Sequence, residues 1–238
     1  MFTARRWAVL LLALSCPLVC AQRYSDLTTP TPLPPGSTLV IGFLGGYDRW
    51  DDEHRSVRRL ILDLRRQPGV FAESISNHNR SLALKLIRRA LDANRDGRLE
   101  PNEKAAARIV LFGQSWGGAA AVDTARDLEK LGVPVLLTVQ VDSVGMEDAV
   151  IPANVRAALN FYQHDPFTIQ GRAGIRAADP SRTRILGNFE EAYVFRPIDE
   201  SNASWPRRVF GGSHTKMELD PAVWSRVEQT ILDAIAGR

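Results

Sequence analysis

Gly113-Gln114-Ser115-Trp116-Gly117 sets a serine between glycines two residues away on either side. A serine hydroxyl is a weak nucleophile near neutral pH. It needs a base to take its proton and donors to hold the oxyanion that forms on attack. The G-x-S-x-G spacing suits that chemistry, because it lets serine stand on a strained turn between a strand and a helix. The spacing alone occurs by chance, so its surroundings decide. Arg108-Ile109-Val110-Leu111-Phe112 before it reads as a buried strand. Gly118, Ala119, Ala120 and Ala121 after it are small enough for a helix to pack tightly against a sheet. Ser115 is therefore the candidate nucleophile. Four histidines (His54, His78, His164 and His214) could supply the base. Asp142, Asp165 and Asp179 are candidates for the acid that orients it.

A second run of side-chain oxygens lies upstream. Asp92, Asn94 and Asp96 alternate, Gly97 follows, then Arg98, Leu99 and, at the twelfth position, Glu103. This matches an EF-hand loop: oxygens at 1, 3 and 5, a sharp turn at 6, a backbone carbonyl from Arg98, and a bidentate carboxylate from Glu103. Hard Ca²⁺ needs that many oxygens. The expected ion would be structural, holding the helix that enters the Ser115 strand. No second loop of this kind is present, and the exiting helix, near 101–107, is short. The competing reading takes the acids as caps of a polar helix–turn–helix.

The elements that must position these groups follow from hydrophobic period. Thr38–Phe43, Val70–Ser76, Ile109–Phe112, Val133–Val141, Ala157–Tyr162 and a run from Arg184 read as strands. Val57, Leu60, Ile61 and Leu64 mark one helix, and Leu82, Leu86, Ile87 and Leu91 a second. A small-residue helix runs from Gly118 to Leu131, with Gly132 as its stop. Asp220 and Pro221 open a last helix carrying Val223, Val227, Ile231 and Ile235. Strands and helices alternate throughout, which predicts a mostly parallel sheet covered on both faces in one α/β domain over 38–238.

These motifs together resemble the α/β-hydrolase superfamily. The resemblance covers roughly 38–236 and rests on Gly42-Phe43-Leu44-Gly45-Gly46 after the first strand, the Ser115 elbow and a late histidine. It implies the chain order nucleophile, acid, histidine, and so favours His214, in Gly211-Gly212-Ser213-His214-Thr215, as the base. It also implies backbone N–H groups of Phe43 (or Leu44) and Trp116 as oxyanion donors. Members with His-Gly at that place differ from the Ile41-Gly42 found here. For the acid, Asp142 ends a strand at the edge where α/β sites assemble. Asp165 ends the next strand, the commoner position in the family. Thr138–Val144, followed by Asn160-Phe161-Tyr162-Gln163, resembles exported hydrolases with the acid after the earlier strand. Asp142 is favoured, with Asp165 and then Asp179 as alternatives.

The whole chain sets bounds on these readings. With 238 residues, 45% hydrophobic and 24% charged, it is long and apolar enough for one substantial core. The charge of +3 reflects dispersed arginines rather than a basic block with interleaved aromatics, which argues against nucleic-acid binding. Arg5 and Arg6, the apolar Trp7–Leu14 stretch and Val19-Cys20-Ala21 predict a signal peptide cleaved after Ala21. Residues 22–37 are proline-rich and read as a linker or leading arm. Both cysteines, Cys16 and Cys20, fall in the leader, so the mature chain has no disulfide and no cysteine site. The expectation is an exported serine hydrolase of the carboxylesterase or lipase kind. It would act on a small-molecule or acyl ester, need no organic cofactor and keep no membrane span after cleavage. The rivals are a serine peptidase or amidase, and a non-catalytic calcium-binding protein on a hydrolase scaffold.

Overall fold

Strands buried on both faces need apolar side chains at consecutive positions, and Thr38–Leu44, Ile109–Gln114 and Val135–Val141 carry such runs. The computed structural model describes residues 22–238; the expected leader lies outside them. In chain order the elements are β1 (Thr38–Leu44), α1 (Ser56–Leu64), β2 (Val70–Ser76), α2 (Arg80–Leu91), α3 (Pro101–Ala105) and β3 (Ile109–Gln114). Then come α4 (Trp116–Lys130), β4 (Val135–Val141), β5 (Val150–Ile151), β6 (Val155–Tyr162) and β7 (Arg176–Ala177). β8 (Arg184–Glu190), α5 (Trp205–Phe210), α6 (Gly212–Leu219) and α7 (Pro221–Ala236) complete the fold.

Six strands form one sheet in the order β2-β1-β3-β4-β6-β8, and every pairing in it is parallel. β1 alternates its side chains. Leu39, Ile41 and Phe43 pack with Leu86 and Ile87 of α2 and Ala121 and Leu128 of α4. Val40 and Leu44 pack with Ile61 and Leu64 of α1 and Val227 and Ile231 of α7. This is the two-faced α/β architecture expected. The chain steps one way from β1 to β2 and then crosses back past β1 to β3. That reversal opens a crevice at the carboxyl ends of β1 and β3, where α/β sheets place their ligands. Among the described residues no helix is long and apolar enough to cross a membrane.

Several boundaries differ from the expectation. β4 starts at Val135, not Val133, because the Val133 N–H turns back to the Leu128 carbonyl and closes α4. α4 starts at Trp116, so its first turn includes the glycines after Ser115. The small β5–β7 pair and α5 had no periodic signal. Arg55 and Arg58 are buried despite their charge: Arg55 bonds Asp52 and Glu218, and Arg58 bonds Ser74 Oγ.

Residues 22–37 lie against the domain rather than apart from it. Tyr24, Leu27 and Leu33 pack on the core. Glu73, buried on β2, anchors the arm. Its Oε1 accepts from the backbone N–H and hydroxyl of both Thr28 and Thr29, and its Oε2 pairs with Arg65 at 2.7 Å. Removing a buried charge that satisfies so many donors leaves them orphaned. Glu73→Ala should therefore lower the unfolding free energy by about 3–5 kcal/mol, read from a urea titration. An unchanged midpoint would show that the arm is not held this way.

Candidate active site

The Ser115 turn is shaped by lack of space. A β-carbon at residue 113 would overlap the backbone of Gly117, and one at residue 117 would overlap the Phe43 carbonyl. Glycines at both places let α4 start directly against β1 and β3. Between them Ser115 takes φ 56 and ψ −128, outside the regions open to most L-residues. Neighbours hold it there: its N–H donates to the Val141 carbonyl at 3.0 Å, and its carbonyl accepts from Gly118 and Val144.

Asp142 follows β4 and is fully buried. Its Oδ2 lies 2.6 Å from His214 Nδ1 and accepts from Gln163 Nε2 at 3.0 Å, while Oδ1 accepts from the Gly171 N–H at 2.8 Å. The structure thus brings Asp142, and not Asp165, to the imidazole. Asp165 instead accepts from the Phe167 N–H and from the Ser213 hydroxyl at 2.8 Å, and these bonds, in that order, hold its carboxyl below the ordinary range. It anchors the residue before His214. Asp179 accepts from Ser181 in its own turn. His214 sits in the first turn of α6. His54 pairs with Asp52 and His164 with Glu190, and His78 is exposed beside Tyr47.

Ser115 and His214 line one cavity of about 360 Å³ together with Gly45, Gly46, Tyr47, Trp116, Val144 and Ile169. Gln114 Nε2 lies 3.2 Å from His214 Nε2. With Nδ1–H donating to Asp142, Nε2 is left with its lone pair toward the Gln114 amide. Among the described residues the Ser115 hydroxyl has no hydrogen-bond partner, so the serine–imidazole bond is not made in this conformation. Resting sites commonly show such loose geometry. Phe43 and Leu44 are fully buried within β1 and do not line the cavity; Gly45 and Gly46, just beyond the strand, do. Trp116 lines the cavity as well.

Gln163, the Gly171 N–H and the Gln114 amide were not singled out in the sequence. Gln163 does end the Asn160-Phe161-Tyr162 run whose pattern pointed to Asp142. The two charges at the cavity wall are matched. Arg207 Nη2 donates to both oxygens of Asp48 at 2.6 and 2.7 Å. Glu218 accepts from the Ser56 N–H and Arg55; burial raises its pKa despite that arginine.

The loop from Asp92 to Glu103 lies before β3, at the end of the sheet away from Ser115. Its backbone takes left-handed turns at Arg95 and Gly97. Its oxygens bond the loop itself: Asp92 accepts from Asp96 and Gly97, Asn94 from Asp96, and Asp96 from Arg98. Glu103 accepts from the N–H groups of Glu100, Ala93 and Asn94, the Glu100 bond first among those that lower its pKa. Among the described residues no three acidic, histidine or cysteine side chains gather closely enough to hold a metal ion. The carboxylates as placed do not form a cation site.

No protein-family model and no curated protein matches the chain. Similar solved structures include a dienelactone hydrolase from Anabaena variabilis, at 13% identity and TM-score 0.42, covering 86% of this chain and 88% of that one. A bacterial heroin esterase aligns at 14% identity and TM-score 0.44, covering 87% and 76%. A dienelactone hydrolase-like promiscuous phosphotriesterase from metagenomic libraries aligns at 16% and 0.41, covering 89% of each.

The Asp142–His214–Gln114 geometry predicts one tautomer. Nitrogen-15 NMR of the imidazole in its neutral form should place the His214 proton on Nδ1, with Nε2 bare. A proton on Nε2 would contradict the arrangement.

Proposed function

We propose that this chain is an exported serine hydrolase that cleaves a carboxylic ester, with Ser115 as nucleophile, His214 as base and Asp142 as the acid behind it. The observation that carries the reading is the shared cavity of Ser115 and His214, with buried Asp142 at 2.6 Å from the far side of the imidazole. Binding of a substrate carbonyl would draw the Ser115 hydroxyl and His214 Nε2 together in place of the Gln114 amide. The serine oxygen then attacks the carbonyl carbon as Nε2 takes its proton. Asp142 stabilises the imidazolium without itself taking a proton. The Trp116 N–H, which opens α4 and has no helical partner, holds the oxyanion with an N–H from the Gly45–Gly46 segment. The imidazolium protonates the departing alcohol. Water, deprotonated by the same imidazole, then releases the acid from Ser115.

A fluorophosphonate probe tests the nucleophile. The wild-type protein should label rapidly and Ser115→Ala not at all; equal labelling of the two sinks the proposal. Asp142→Asn should slow labelling and ester turnover roughly a thousandfold. Asp165→Asn, which removes only an anchor of Ser213, should cost within about tenfold.

Ca²⁺ at the Asp92–Glu103 loop is a separate proposal, supported by the left-handed turns at Arg95 and Gly97. Binding requires Glu103 to exchange its three N–H donors for the ion, beside Asp92, Asn94, Asp96 and the Arg98 carbonyl. Calorimetry on chelator-stripped protein should then show one Ca²⁺ bound and a higher Tm with it. Neither heat nor shift would leave the acids as caps alone.

A further inference from the structure

The cavity that Ser115 and His214 share has an apolar rim that the reaction itself does not use. Tyr47 and Trp116 meet edge to face, with ring centroids 5.8 Å apart and planes at 83°. Tyr47 is nonetheless 85% exposed and Trp116 43%. Ile169 stands at the rim at 59% exposure. Large apolar side chains left open around a cavity mark a binding surface more often than a packing defect. A perpendicular aromatic pair offers a third ring both a face and an edge, the two arrangements that aromatic groups prefer.

Charge narrows the ligand further. Both oxygens of Asp48 hold Arg207, and Glu218 is bonded by Ser56 and Arg55. Among the described residues no unpaired arginine or lysine at the wall is left to receive an anionic substrate group, and the pairs around it oppose a charged one. The cavity, at about 360 Å³, is at the small end for a ligand site and suits a compact group rather than a long acyl chain. We infer that the preferred substrates are neutral esters bearing an aromatic ring close to the scissile bond, with that ring seated against Tyr47 and Trp116. The inference rests on the serine-hydrolase reading above. Tyr47 is thereby a specificity-determining residue.

The test compares paired esters that differ only in ring unsaturation. Benzyl acetate against cyclohexylmethyl acetate places the ring on the alcohol side. Ethyl phenylacetate against ethyl cyclohexylacetate places it on the acyl side. In at least one pair the wild-type protein should favour the aromatic member in kcat/KM. Tyr47→Ala should reduce that ratio about three- to tenfold, and Tyr47→Phe should keep it. A purely structural role for Tyr47 would change both members of a pair alike. A wild-type ratio near one in both pairs, or a ratio that Tyr47→Ala leaves in place, overturns the inference while Ser115 still labels with the fluorophosphonate. Absence of both labelling and ester turnover instead overturns the hydrolase reading, and the substrate class with it.

Discussion

Residue 117 has no room for a β-carbon, because the Phe43 carbonyl of β1 stands against it. That contact sets the distance between the first turn of α4 and the sheet. It obliges the chain to reverse within a few residues after β3. Ser115, at the apex, is left in a backbone conformation that would relax if α4 could move outward. Two kinds of restraint prevent this. Small residues along α4, among them Ala121 and Ala125, let the helix lie close to the sheet, and backbone bonds to Val141, Gly118 and Val144 tie the turn itself. The apolar core thus holds a polar side chain at the open edge of the sheet.

The remaining site groups reach the same edge by topology. β1, β3, β4 and β6 all run parallel, so their following loops share one end of the molecule. Gly45 and Gly46 come from the first, Ser115 from the second, Asp142 from the third, and Gln163 from the last. Asp142 itself takes φ 46, which turns it off the end of β4. Its carboxylate receives three donors, from His214, Gln163 and Gly171, so a fully buried charge is satisfied on both oxygens. The segment before α6 is fastened in turn by Asp165 through Ser213. Two acids that compete for one role in the sequence therefore divide into orienting the imidazole and anchoring its neighbour.

Other buried acids work by the same rule. Glu73 gathers the N-terminal arm onto β2 and pairs with Arg65 of the turn after α1. Glu218 joins α6 to the start of α1 and lies at the cavity wall. Much of the arginine excess is matched in this way: Arg55, Arg65, Arg172, Arg196 and Arg207 each pair with a buried or half-buried carboxylate. Composition reports the charge but not the partner.

The sequence alone determined the alternation of strands and helices, because buried strands and amphipathic helices write local periods into the chain. It also determined the elbow around Ser115, since close backbone approach demands glycine at 113 and 117 whatever surrounds them. It did not determine which aspartate meets His214. Asp142 and Asp165 both follow parallel strands, and they differ only in how Gln163, Gly171 and Ser213 bond them, contacts that join residues far apart in the chain. Nor did it determine where β1 ends, because a strand's end depends on its neighbours, and β1 stays paired through Leu44 with β2. Nor could local pattern foresee that Tyr47, from the loop after β1, and Trp116, at the start of α4, would meet at the mouth of the Ser115 cavity. Local chemistry chose the turn that presents the serine; its partners were decided only when the parallel sheet brought several loops to one edge.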